Sequence, residues 1–187
     1  MFNYSPDMND RFSLEKIISK SEQAFKDFSE TCEQVPPEFF FKQPDGKWSI
    51  AQHVQHVIIS TKTSTAAFAL PKFIVRLVGG RARRASLDYD ALVKIYIGKL
   101  AQGGKASGRY IPKKINTGTS KEKLIHNWEQ ATATYLHALK ANLKKDQLDL
   151  YQVPHPLLGK ITLRELGYFT IYHTTHHQQA IKNLNYH

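Results

Sequence analysis

One cysteine stands in 187 residues, and that scarcity removes whole classes of protein. Cys32 cannot close an internal disulfide, and nothing in the chain resembles a cysteine-rich zinc module. A reducing, cytoplasmic setting is expected. No apolar run approaches the roughly 20 residues that a bilayer-spanning helix requires, so no membrane partner is expected. The start, Met1-Phe2-Asn3-Tyr4-Ser5-Pro6-Asp7-Met8, lacks a basic stretch followed by an apolar one, and no secretory signal is read there. Acidic residues are in the minority: 16 Asp and Glu against 26 Lys and Arg give a formal charge of +10. Such a balance favours anionic partners. The basic residues gather in Arg76 to Arg84, Lys105 to Lys114 and Lys140 to Lys145. No helix-turn-helix and no aromatic RNA-stacking signature accompanies them. A solvated basic surface is therefore the expectation, and nucleic acid is not the expected partner.

What the chain does contain is enough apolar material, 41% of residues, for one domain over residues 1–187 with its own core. Helical periodicity dominates. Leu14, Ile17, Ile18, Ala24, Phe25 and Phe28 form one stripe of a helix expected over Ser13 to Thr31, and Pro36-Pro37 forbids its continuation. The connector that follows carries Phe39, Phe40 and Phe41. Ser49 with Gln52 three residues on is a capping box that opens a second helix, ending near Leu70-Pro71. Lys72 to Val78 predicts a short helix stopped by Gly79-Gly80, and Asp88 to Leu100 another. Gln102 to Thr117 predicts a long crossover loop over a site. A capping box at Thr119 and Glu122 opens a helix to about Asn142. A connector with Pro154-His155-Pro156 and Gly159 leads to the last helix, capped by Thr162 and Glu165. The fold class predicted is all-α: a four-helix bundle with long connecting loops and short extra helices.

The histidines carry the chemistry. His173 and His177 are four residues apart on the last helix, in the stripe Leu163, Leu166, Thr170, His173, His177, Ile181 and Leu184. Imidazoles at that spacing stack on one face, one turn apart, and can share a metal ion. Spacing alone leaves two readings open: a shared metal, or a pair of hydrogen-bonded core histidines. His176 points about 100° away around the helix and is expected outside the ligand set or at the surface. On the second helix His53 sits on the apolar stripe and His56 at its edge, and periodicity does not choose between them.

The joint pattern of Trp48-Ser49, His56 eight residues after the tryptophan, and His173-Thr174-Thr175-His176-His177 on the last helix resembles the DinB/YfiT-like superfamily. The resemblance runs from the first helix to His177. It implies a four-helix bundle in which one histidine of the second helix and two of the last hold a divalent metal, zinc or nickel. By position the ligands would be His56, His173 and His177, with His53 and His176 beside them. It also implies a homodimer and a small-molecule substrate. Many relatives continue the final motif with Arg-Gly-Gln, whereas here Gln178-Gln179-Ala180 follows His177.

Two activities follow from the resemblance: transfer of a low-molecular-weight thiol to an electrophile, with basic loops holding the thiol's carboxylates, or metal-dependent hydrolysis. A metal on three neutral imidazoles lowers the pKa of a bound thiol or water. The last helix is not a metalloprotease helix, because Thr174 stands where His-Glu-x-x-His needs its glutamate. Glu165 and Glu129 are candidates for a base by helix membership alone. Cys32 is read as a packing residue. The competing class is a non-catalytic stress-response module whose basic surface binds an anionic partner.

Overall fold

The computed structural model describes residues 11–44, 46–113, 115 and 118–184. Seven helices and one hairpin are present among them: α1 (Leu14–Glu33), α2 (Pro37–Phe40), α3 (Ile50–Ala69), α4 (Lys72–Gly79), α5 (Tyr89–Ala101), α6 (Lys121–Asn142), β1 (Gln152–His155), β2 (Gly159–Thr162) and α7 (Leu163–Lys182). The long helices α1, α3, α6 and α7 close a four-membered ring in which α3 packs on α6 and α7, and α1 on the same two. Their directions follow from the side chains that meet. Ser64 of α3 meets Thr170 early in α7, while His53 meets His177 late in it, so these helices are antiparallel. Lys140 of α6 pairs with Glu22 of α1, and Lys121 reaches the carbonyls at the other end of α1, so these two are antiparallel as well. Gly167 lies against Ile17, and Gln178 reaches Asp27, so α1 and α7 run the same way. The bundle is thus up, down, down, up. Its single long crossover, from α3 to α6, carries α4 and α5.

Aromatic side chains fill the middle of the ring. Trp128 meets Phe25 at 5.3 Å and Phe28 at 4.9 Å between ring centroids, and Tyr135 meets Phe25 at 5.3 Å and Phe68 at 5.4 Å. The Trp128 indole N–H donates to Ser29, which removes the cost of burying it. Cys32 is fully buried here and its thiol is pushed up to about 12 by desolvation, as expected of a packing residue.

The capping boxes at Ser49 and Thr162 form as the sequence requires. At α6 the cap is Ser120, whose hydroxyl accepts from the Lys123 N–H, and not Thr119. Ser120 has the extended backbone of an N-cap, so the helix starts one residue later than the Thr119–Glu122 spacing suggests. The Pro154-Gly159 connector is more ordered than a loop: it is a hairpin, with Val153 opposite Ile161 and His155 opposite Gly159. The hairpin packs on α4, where Gly79 permits a contact no side chain would allow, since a Cβ there would lie 1.6 Å from the Gln152 carbonyl oxygen.

Glu165 ties this end together. Its carboxylate accepts from both Arg84 terminal nitrogens (2.5 and 2.9 Å), from the Leu87 N–H (2.8 Å) and from the Thr162 N–H (2.7 Å). The same side chain caps α7 and anchors the segment entering α5. It is fully engaged and buried, so it is not available as a general base. Truncating one partner of a buried, hydrogen-bonded pair typically costs about 3–5 kcal/mol. Glu165→Ala is accordingly expected to lower unfolding free energy by roughly 3 kcal/mol. Arg84→Ala should cost a comparable amount, because it leaves the fully buried Glu165 carboxylate without its cation. Urea denaturation of both variants checks this, and a negligible loss in Arg84→Ala would contradict it.

Candidate metal centre

The antiparallel packing of α3 on α7 brings the first two turns of one against the last turns of the other, and four imidazoles meet there. His53, His56, His173 and His177 are all buried. The Nε2 atoms of His56 and His173 lie 3.0 Å apart, and those of His173 and His177 3.1 Å apart. The ligand nitrogens of His56, His173 and His177 all fall within 4.8 Å of one another and could hold a metal ion. The outward nitrogens are occupied. His56 Nδ1 lies 2.7 Å from the Tyr110 carbonyl oxygen and donates to it, and His177 Nδ1 lies 2.8 Å from His53 Nδ1. Periodicity left His53 and His56 unseparated, and both prove to face α7, with different partners.

The donor set can be tested for fit through its protons. A carbonyl only accepts, so His56 Nδ1 carries the proton and its Nε2 presents a lone pair. Two lone pairs at 3.0 Å repel, so in the absence of a cation a proton on His173 Nε2 must be shared toward its neighbours. A divalent cation can take the place of that one central proton while the outer hydrogen bonds to Tyr110 and His53 stay as they are. Those outer bonds are the kind that orient histidine ligands. The residues present therefore fit a metal.

Burial keeps the ring nitrogens neutral. Desolvation holds His173 and His177 well below the usual histidine range and lowers His53 to about 4. His56 is also lowered by desolvation, against the opposing pull of the Tyr110 carbonyl. Trp48, just ahead of the α3 cap, covers the cluster. Its ring lies 5.0 Å from His56 and 5.5 Å from His53, and stacks on His177 at 6.0 Å with planes 7° apart.

A cavity of about 580 Å³ opens on this cluster, and His56, His173, His176 and His177 line it. The described part of the 102–117 connector runs over the site as its glycine content suggested, with Gly104 to Ser107 and Tyr110-Ile111 forming part of the wall, while residues 114, 116 and 117 lie outside the described residues. His176, expected outside the ligand set, is half-buried at the wall. Of the basic segments only Lys105 reaches the lining among the described residues. Glu129 is exposed on α6, away from the cavity, so neither suggested base is in the site. Gln178, in the position where many relatives carry arginine, donates to the Asp27 carbonyl and to Thr31 and so ties α7 to α1.

Several wall residues were missed in the sequence. Ser60, Thr63 and Ser64 follow His56 at i+4, i+7 and i+8 and extend its face into the cavity. That spacing was a readable signal. Tyr96 reaches His173 at 6.3 Å and His176 at 6.4 Å from α5, and nothing in the α5 pattern marks it.

The sequence pattern of the DinB superfamily matches residues 21–181. No curated protein matches the chain. Among solved structures, the four-helix bundle protein TT2238 is similar with a TM-score of 0.59 at 14% identity, over 92% of this chain and 100% of that one. The colibactin self-resistance protein ClbS, solved in complex with a dsDNA, is similar with a TM-score of 0.50 at 13% identity, over 92% of this chain and 95% of that one. At such identities the likeness is one of fold.

The buried histidines make the metal-free protein acid-sensitive in a defined direction. Their ordinary value is 6.5 and folding lowers it, so the unfolded chain takes up protons first as the pH falls. Stability is fully present above about pH 6.5 and is lost progressively below it, toward the lowered values. Thermal melting of metal-free protein between pH 8 and pH 4 should give a flat upper range and a falling lower one. A melting temperature that rises on acidification would contradict the neutral cluster.

Proposed function

This chain belongs to the DinB superfamily, and on that premise we propose that it is a metal-dependent enzyme that transfers a low-molecular-weight thiol to an electrophilic small molecule. His56, His173 and His177 would hold a divalent ion, zinc or nickel, through Nε2. When bound, the ion would lower the pKa of a thiol or water at its open position, so that a nucleophile forms near neutral pH. The observation that carries the proposal is the convergence of those three neutral nitrogens on the floor of a cavity.

The residues around them favour thiol transfer over hydrolysis. No carboxylate lines the cavity among the described residues, so no Asp or Glu there can take a proton from water or pass one to a leaving group. A thiol needs less help, because its ordinary pKa is already near 8.5. The Tyr110 carbonyl and His53 Nδ1 fix the ring orientations of His56 and His177. Trp48 and Phe169 cover the faces of His177 and His173. Among the described residues, Lys105 is the cation of the wall that could meet a carboxylate of the thiol.

Two measurements test this. Metal content by mass spectrometry should be near stoichiometric for the wild type and lost in the His173→Ala/His177→Ala variant. His53→Ala should keep the site but weaken metal affinity by roughly 10–100-fold, the usual effect of removing the partner of a ligating histidine. A wild type that takes up neither zinc nor nickel would end the metalloenzyme reading. A panel of electrophiles with several thiols should give metal-dependent turnover, whereas turnover without any thiol would move the assignment to a hydrolase. The second reading is an anion-binding module, for which the charge of +10 speaks, together with the dsDNA bound by the similarly folded ClbS. Salt-sensitive DNA binding that survives the double histidine change would favour it.

A further inference from the structure

We propose that the cavity binds an uncharged, mostly apolar molecule whose hydrogen-bond acceptor, a carbonyl or similar oxygen, is held by the Nε2–H of His155. The proposal rests on the metal-centre reading only in identifying this molecule as the electrophile.

The walls argue for the apolar body. Ala67, Leu100, Val153, Leu157, Leu166 and Phe169 are among the residues that line the cavity. Against them stands one cation, Lys105, and no carboxylate among the described residues. A multiply charged molecule would lose its hydration there without gaining partners. The volume of about 580 Å³ is in the range that encloses a small organic ligand.

His155 argues for the acceptor. It stands at the end of β1, and its Nδ1 accepts from the Leu157 and Leu158 N–H groups, both at 3.2 Å. Backbone amides only donate, so Nδ1 must carry the lone pair. The proton of the neutral ring is then on Nε2. Burial keeps the ring neutral by lowering it to about 4. The Nε2–H makes no hydrogen bond with any described residue, and His155 lines the cavity. A turn-stabilising role accounts for Nδ1 but leaves this second nitrogen without a use. Of the wall hydroxyls near His56, Thr63 already gives its proton to the Ile59 carbonyl. Position matters too. The His155 ring meets Phe169 edge-on at 4.2 Å, and Phe169 stacks on His173 at 4.8 Å. One aromatic ring therefore separates the donor from a metal-ligand candidate, so an acceptor held at His155 keeps the attached carbon skeleton beside the cluster.

Two variants separate the nitrogens. His155→Asn offers an oxygen near the place of Nδ1, so the turn keeps its acceptor, but the Nε2 donor is gone. His155→Gln retains an N–H near the place of Nε2. The probes are acetophenone, its hydrocarbon counterpart ethylbenzene, and benzoate. Each is titrated by amide NMR into zinc-loaded and metal-free full-length protein. Metal-free wild type should bind acetophenone about tenfold more tightly than ethylbenzene, the size of one added hydrogen bond, and more tightly than benzoate. His155→Asn should melt and bind zinc as wild type does, yet lose the preference for the ketone. His155→Gln should recover part of it. Equal affinity for the two neutral probes, tighter binding of benzoate by metal-free protein, no binding of acetophenone in the cavity, or a ketone preference surviving in His155→Asn would each overturn the proposal. Because the ketone preference is also read in metal-free protein, it stands or falls separately from zinc uptake by the same sample.

Discussion

Two imidazole nitrogens 3.0 Å apart cannot both present lone pairs, and the interface of α3 with α7 holds three such nitrogens in contact. Something positive must sit among them, a shared proton or a metal. Most of the nearby structure can be understood as a response. The Tyr110 carbonyl and His53 decide which nitrogen of each ring faces inward. Trp48 closes one side, and Phe169 lies flat on His173. Burial keeps the rings neutral and their nitrogens available to a metal. The up, down, down, up order of the bundle supplies the antiparallel α3 and α7 that let residues so distant in sequence meet.

Much of this was legible in the sequence, for physical reasons that can be named. Capping boxes are local, and those at Ser49 and Thr162 formed as read. An i, i+4 histidine pair on an apolar stripe must lie on a buried face, and His173 and His177 do. Other features depend on contacts the chain order does not encode. The hairpin was read as a connector because its strands have four residues each and Pro154 and Pro156 blur any alternation. The sequence places Glu165 on its helix but does not reveal its partners, so helix membership alone makes it a candidate base. Arg84, which fixes it, lies in a segment with no clear periodicity. The Tyr110 contact uses a main-chain carbonyl, which no side-chain pattern announces.

The relation between family and activity follows the same division. Neighbours at 13% and 14% identity share the fold over most of the chain, which fixes where helices cross. The cavity wall around that crossing is built largely by the hairpin, α5 and the described part of the 102–117 connector. These elements belong to the crossover and the α6–α7 link rather than to the bundle itself, so the bundle can stay constant while the molecules it admits change.

Trp48 gives the centre a consequence of another kind. The chain has two tryptophans. One stacks on His177 and contacts His53 and His56, while the other, Trp128, is sealed between α1 and α6 with its N–H on Ser29. Light emitted by the first is exposed to whatever quenches at the histidine cluster, a protonated imidazole or a paramagnetic ion, and light from the second is shielded from it. The protein therefore carries an optical gauge of its own site together with an internal reference, without any added label.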